Sequence, residues 1–428
     1  MAKESFANWQ SELRFIHLFN IDYCITKKGV FFLITVLKFG GTSVATVEKI
    51  QAIADYLKKR TAAEKLCVVV SAMGKRTDAL IGQVSQITQT PNPRELDRLL
   101  SIGEQETIAL LAIALQNVGV TAYSMTGIQA GIRTAGKHTR SKIIQIDAEK
   151  IEQQFAENDV VIIAGFQGVN ENNDITTLGR GGSDTTAVAL AASLHCDCEI
   201  YTDVTGIFTT DPRVYPKAKQ LAVISYDEMM EMSALGASVM ETRSVELGKK
   251  YGVKIYVGKT LDTRKGTYIM DAKEILEQKV ISAVSTDKKI LFVELQLPDA
   301  TPQMVATIFK TISEEHVNVD MISQNNNQAA ISFTCPENEY NFLQTAMSLL
   351  QTKYPKLQVK ISQDYAKLSV VGIGMRDAIG VAAKVFTALS AENISFHQIT
   401  TSEISISLVI AAVDSEKATV RLCNEFNL

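Results

Sequence analysis

The chain has 428 residues, enough for two or three domains rather than one. Its 43 basic and 47 acidic residues leave a net charge of −4, which offers no broad positive face for nucleic acid or an anionic membrane. With 46% hydrophobic and 21% charged residues it reads as an ordinary globular protein. The six cysteines, at 24, 67, 196, 198, 335 and 423, are scattered, and Cys196 and Cys198 are one residue apart, the spacing of neither a redox CxxC nor a usual zinc pair. Free thiols suit a reducing cytoplasm. The histidines at 17, 138, 195, 316 and 397 are also dispersed, so no protein-bound metal is expected.

Residues 1–33 build no core of their own and are expected to be a dispensable extension. The first apolar run, "GVFFLITVL" at 29–37, is too short to span a bilayer and leads straight into Lys38, as a buried strand would. From there to about residue 260, short β-rich runs alternate with helical patterns. Strands are expected at 34–39, 66–71, 122–125, 160–164, 199–202 and 254–257, and helices at 44–59 and 102–116. Several of the strands are continuous apolar runs, as in a parallel sheet covered on both faces. Ser225 followed by Glu228 has the form of a capping box and predicts a helix start. This alternation makes 34–285 a layered α/β domain with ligands at the carboxyl ends of its strands. The remainder, 286–428, repeats itself. An offset of 77 residues aligns "LFVEL" (291–295) with "LSVVG" (368–372), "VATIFKTISEE" (305–315) with "AAKVFTALSAE" (382–392), and "VNVDMIS" (317–323) with "ISFHQIT" (394–400). Each copy reads as a small strand, helix, strand, strand unit able to bind a ligand.

Two turns of the first domain share one layout. In "VLKFGGTSV" (36–44) a strand ends in Lys38 and is followed by Gly40, Gly41, Thr42 and Ser43. In "TTLGRGGSDTTAVALAASL" (176–194), Gly179, Gly181 and Gly182 surround Arg180 ahead of Ser183, Asp184 and an alanine-rich helix. Glycines let backbone N–H groups approach a ligand, and the helix N-terminus adds partial positive charge, an arrangement that cradles phosphate. Neither turn is a Walker A sequence. In "YTDVTGIFTTDPRVYPKAKQL" (201–221), Thr202 and Asp203 follow a strand directly, where an adenine and ribose would rest.

Taken in order, "VLKFGGTSV", "VVVSAMG", "GFQGVN", "TTLGRGGSDTTAVALAASL", "YTDVTGIFTTDPR" and "TSEISISLVI" resemble the aspartate kinase family, from about residue 35 to the C-terminus. The resemblance implies a three-layer α/β amino-acid-kinase fold with a mostly parallel central sheet. Two ferredoxin-like (βαββαβ) ACT domains would follow, the second inserted within the first. It implies transfer of the γ-phosphate of ATP, carried with Mg2+, to the side chain of L-aspartate, the first step towards lysine, threonine and methionine. An acceptor carboxylate of pKa about 3.9 is already ionised and needs no general base; the task is to bring two anions together and neutralise charge on the moving phosphoryl group. By the same resemblance Lys38 and Asp184 are catalytic, with Asp184 an organiser of Lys38. Arg180 takes the α-carboxylate with its planar fork, Glu104 the ammonium, and Thr42 and Ser43 hydrogen-bond substrate or phosphate while capping a helix. Gly40, Gly41, Gly181, Gly182, Ser183, Thr202, Asp203 and Arg213 join Lys38 in the nucleotide site. Feedback by lysine, with threonine as a second candidate, is expected through ACT units paired in a homodimer or a dimer of dimers, with Asp320 meeting the effector's ammonium.

The chain departs from the family where many relatives read GAK. Gly236-Ala237-Ser238 lacks that lysine, and Arg243 or Lys75 is a candidate replacement. "GMRDAIGV" (374–381) lacks a proline frequent in relatives. Another amino-acid kinase of the same fold, or a non-catalytic amino-acid sensor, are the competing expectations.

Overall fold

The computed structural model describes residues 23–25, 31–236, 239–275, 279–298, 301–325 and 330–428; most of 1–33, and Ala237 and Ser238, lie outside them. The chain divides into two units. One holds the residues up to 207 with 222–226 and 240–274, and the other holds 208–221, 227–239 and 275–428. The second unit therefore draws 208–221, 227–239 and 275–285 from within the range 34–285.

The first unit is built on a nine-stranded sheet. Its order is Val223–Ser225, Thr267–Met270, Ile255–Lys259, Cys198–Thr202, Phe31–Phe39, Lys65–Val70, Val160–Ala164 and Ala122–Met125, with Tyr23–Ile25 added antiparallel to Phe31–Phe39. All the expected strands are present, and the pairs from Ile255–Lys259 to Ala122–Met125 are parallel. Val160–Ala164 is buried at every position, which is why it reads as an unbroken apolar run. Helix Val47–Arg60 turns Ile50, Ile53, Ala54 and Leu57 onto the sheet, joined there by Leu111 and Leu115 of helix Ile102–Asn117. Each such burial contributes about 1.5–3 kcal/mol. Pro93–Asn117 is long and apolar enough to cross a bilayer, but half of its most apolar window is buried, as in the core helix of a globular domain. A small sheet of Lys142–Gln145, Arg133–Ala135, Gln167–Val169 and Ile175–Thr177 has no counterpart among the expected strands. Its members are three or four residues long, too short to show a period.

In the second unit, elements paired by the 77-residue offset are equivalent. Ile290–Gln296, Pro302–Glu314, Asp320–Asn325, Ala330–Pro336, Tyr340–Lys353 and Gln358–Ser362 form a complete βαββαβ copy around Leu291, Ile308, Phe333 and Leu350. The other copy comprises Tyr365–Val371, Val381–Ala391, Phe396–Thr401, Ser405–Ala411 and Ser415–Glu425. Its edge strand, Ala283–Asp287, pairs with Tyr365–Val371 and precedes the whole of the first copy. The interruption is thus the reverse of the expected one. The copy that comes first in the repeat is continuous, and it is inserted into the one that comes second.

Candidate active site

Phe31–Phe39 lies in the middle of the sheet, and its register sets Lys38 beside Ile200 and Val69 on the neighbouring strands. Strand alternation sends Leu37 and Phe39 into the helix-covered core and Lys38 to the other face. Lys38 is only 8% exposed, and a buried ammonium needs a partner. Asp184 supplies it at 2.5 Å from the first turn of helix Gly182–Leu194. The structure therefore joins the two glycine turns through the pair expected to be catalytic.

The turns need their glycines. A Cβ at Gly41 would lie 2.8 Å from the Ala72 carbonyl oxygen, and one at Gly181, where φ is +62°, would lie 2.4 Å from the Glu241 Cβ. Gly181→Ala is expected to lower kcat/KM about 10²-fold by displacing the loop. Gly82→Ala faces open space in helix Arg76–Ser85 and should instead add about 0.5–1 kcal/mol of stability. Equal kinetics for the two variants would contradict this account of the loop.

Glu104 occupies the first turn of helix Ile102–Asn117 and is 3% exposed. One carboxylate oxygen accepts the Ala72 N–H at 3.1 Å; the other, Oε2, is buried without a hydrogen-bond partner among the described residues. Burial pushes its pKa up to about 7, against the opposing pull of backbone N–H groups including that of Ala72. A buried acceptor left open calls for a donor, and an ammonium ion suits it.

Lys38, Gly41, Glu104, Arg180, Gly181, Gly182, Ser183 and Asp184 line one cleft of about 300 Å³. Ser71, Ala72, Gly74, Thr77, Phe166 and Gly179 complete it; none was among the expected site residues, although Ser71, Ala72 and Gly74 lie within "VVVSAMG", Phe166 within "GFQGVN" and Gly179 in the second glycine turn. Phe166 holds a left-handed backbone, φ +69°, that bulky residues rarely adopt. Its N–H donates to Thr186 Oγ1 at 3.1 Å, and its ring lies 2.7 Å from where a Gly182 Cβ would be.

Other expected residues fall elsewhere. The N–H of Gly40 donates to the Tyr201 carbonyl at 3.1 Å, which leaves Gly41 as the glycine of this turn that faces the cleft. Thr42 is exposed, with its carbonyl taken by Lys49 Nζ at 2.8 Å. Neither Thr42 nor Ser43 caps the following helix. Thr46 does so, because the turn at 41–46 delays the helix to Val47, and the Ser43 hydroxyl lies 2.6 Å from Thr260 Oγ1. Thr202 ends its strand and donates to Asp203 at 3.2 Å. Arg213 belongs to the second unit, where it is 90% exposed and forks onto Asp211. Asp320 also belongs there, and its carboxylate meets Lys367 Nζ at 2.6 Å. Arg243 is engaged by the carbonyls of Ser141 and Leu178; Lys75 is exposed ahead of helix Arg76–Ser85.

Fold and site together define an α/β domain whose one cleft gathers Lys38, Asp184, Glu104 and Arg180, in a chain that also carries a duplicated βαββαβ region. The sequence matches the amino acid kinase family over residues 34–259 and the ACT domain over 299–352 and 368–426. It is 45% identical to an aspartate kinase of Stutzerimonas stutzeri over 402 residues, covering 92% of this chain and 97% of that one. It is 41% identical to aspartokinase 2 of Bacillus subtilis over 397 residues, with the same coverage. The fold matches that of E. coli aspartokinase III, crystallised with aspartate and ADP, at a TM-score of 0.77 and 23% identity, over 92% of this chain and all of that one. The chain belongs to the aspartate kinase family.

Proposed function

We propose that the protein transfers the γ-phosphate of ATP to the side-chain carboxylate of L-aspartate, giving 4-phospho-L-aspartate and ADP. The observation that carries this is one cleft holding the Lys38 and Asp184 ion pair, the open carboxylate oxygen of Glu104 and the guanidinium of Arg180. Glu104 takes the substrate's ammonium and Arg180 its α-carboxylate, which leaves the side-chain carboxylate as the nucleophile. Its oxygen attacks the γ-phosphorus as the bond to the ADP oxygen breaks, and no proton changes hands. Lys38, oriented by Asp184, meets the charge that spreads over the phosphoryl oxygens. The backbone of Gly41 and the N-terminus of helix Gly182–Leu194 face the phosphates. Among the described residues no cluster of three or more acidic, His or Cys side chains is placed to hold a metal. A Mg2+ carried in with ATP, bound mainly through the phosphates and water, would neutralise charge there.

The test is ATP-dependent formation of aspartyl hydroxamate in the presence of hydroxylamine, with L-glutamate as rival acceptor. Product from aspartate supports the reading; product from glutamate alone, or from neither with folded protein, overturns it.

The duplicated ACT region is read as the site of feedback by lysine, in a homodimer or dimer of dimers located in the cytoplasm. Asp320 is its proposed contact with the effector's ammonium, which would compete there with Lys367. Lysine is expected to lower the activity and raise the Tm of the wild type, with Asp320→Asn about tenfold less sensitive, the loss of one charge-assisted hydrogen bond. Activity and Tm unmoved by lysine or threonine would remove this assignment.

A further inference from the structure

The loop that carries Arg180 is held from outside the cleft. Arg243, in helix Thr242–Tyr251, points its guanidinium into the protein, where Nη1 donates to the Ser141 carbonyl at 3.1 Å and the Leu178 carbonyl at 3.3 Å. Leu178 is two residues ahead of Arg180, and Ser141 and Leu178 are both buried, so neither carbonyl has water as an alternative donor. The same two strands of chain are laced on their other side. The N–H of Ser141 donates to the Thr177 carbonyl at 3.0 Å. Asp97, fully buried on helix Pro93–Leu100, accepts from the Thr177 hydroxyl at 2.5 Å and the Thr139 N–H at 3.0 Å, and lies 2.7 Å from His138 Nδ1. Gly179, at φ +81°, passes so close that a Cβ there would lie 3.1 Å from the Thr139 carbonyl.

We propose that Arg243, backed by Asp97, is the positioning residue for Arg180. It fixes segment 178–182 against 137–141, so that the guanidinium beyond Gly179 is presented at one place in the cleft. Nη1 carries two N–H groups and so serves carbonyls on two separate segments at once, and the ammonium of a lysine, on a shorter side chain without the rigid guanidinium plane, is a poorer substitute. Loss of the staple frees the grip on the substrate's α-carboxylate while Lys38, on a separate strand, keeps its place. This rests on the assignment of Arg180 to that carboxylate.

The experiment is steady-state kinetics of the full-length enzyme, with wild type, Arg180→Met, Arg243→Met and Arg243→Lys compared, and the Tm of each recorded. Arg243→Met is expected to raise the KM for aspartate about tenfold while kcat stays within about threefold and the KM for ATP holds, the split that marks lost ground-state binding. Arg243→Lys should recover part of the loss. A folded Arg243→Met with the wild-type KM for aspartate, while Arg180→Met raises it, would overturn this inference alone. Arg180→Met with an unchanged KM would overturn the underlying reading and the inference together. A matched rise in both KM values, tracking a fall in Tm, would reduce Arg243 to a structural role. Should Arg243→Met not fold, Arg243→Lys and Asp97→Asn carry the same comparison.

Discussion

Lys38→Met is expected to lower kcat about 10²–10³-fold, the usual consequence of removing one preorganised donor from the charge that develops in a transition state. The same substitution should also destabilise the fold, because Asp184, with a side chain only 13% exposed, is left without its counter-ion. Breaking a buried pair from one side costs about 3–5 kcal/mol, whereas replacing both partners by neutral groups is often close to neutral. The double variant Lys38→Met with Asp184→Asn should therefore recover much of the lost stability and none of the activity. Urea unfolding beside the hydroxamate assay separates the two effects. If the double variant were as unstable as Lys38→Met, the ion pair would not be the source of the loss; if Lys38→Met kept wild-type kcat, Lys38 would have no catalytic part.

Glu104 gives the second large effect, and it has two opposite signs. Its carboxyl has a pKa pushed up to about 7, and under the proposed assignment it holds the substrate's ammonium only when ionised. Thus kcat/KM for aspartate should fall about tenfold per pH unit below pH 7, in a profile that reports the free enzyme. Glu104→Gln should lower kcat/KM and flatten that limb. Stability runs the other way. The folded-state value is raised above the ordinary 4.5, so between about pH 4.5 and 7 the native state binds more protons than the unfolded chain, and stability falls as pH rises through that window. At pH 8 the buried charge costs on the order of 3 kcal/mol. Glu104→Gln should then be more stable than wild type at pH 8, with the gap closing towards pH 5. A pH-independent kcat/KM between pH 6 and 8, or a Gln variant less stable at pH 8, would refute this account of the site.

How far the sequence leads depends on the kind of signal each element leaves. The central strands announce themselves because burial on both faces makes them apolar throughout, as in Val160–Ala164. The repeat is legible because two equivalent cores need apolar residues at equivalent positions, as with Phe309 and Phe386. The small sheet that leads into the Arg180 loop is not legible, since strands of three or four residues show no period. Nor is the strand Ala283–Asp287 as a member of the second copy, because its partner lies far along the chain. Within the site, Lys38 and Arg180 stand in glycine-rich turns whose shared layout marks them, whereas Glu104 and Asp184 could be named only through the family resemblance, since each alone reads as an ordinary carboxylate of a helix's first turn. The staple at Arg243 could not be named, since its acceptors are backbone carbonyls that leave no mark on the residues supplying them. Ser43 shows the opposite failure: a hydroxyl near a helix start resembles a cap, but Thr46 fills that position.

The interleaving of the two copies also bears on how the protein is made. Strand Ala283–Asp287 leaves the ribosome well before its partner Tyr365–Val371, and the 78 positions from 287 to 365 take about 4–16 s to synthesise at 5–20 residues per second. Only at the close of that interval, with Gln358–Ser362, does the inserted copy have every strand of its own βαββαβ sheet, and until then the earlier strand waits with an unpaired edge, open to association with a neighbouring nascent chain. The order of synthesis thus makes one regulatory copy a self-sufficient folding unit and leaves the other dependent on strands that appear only after that unit has been made.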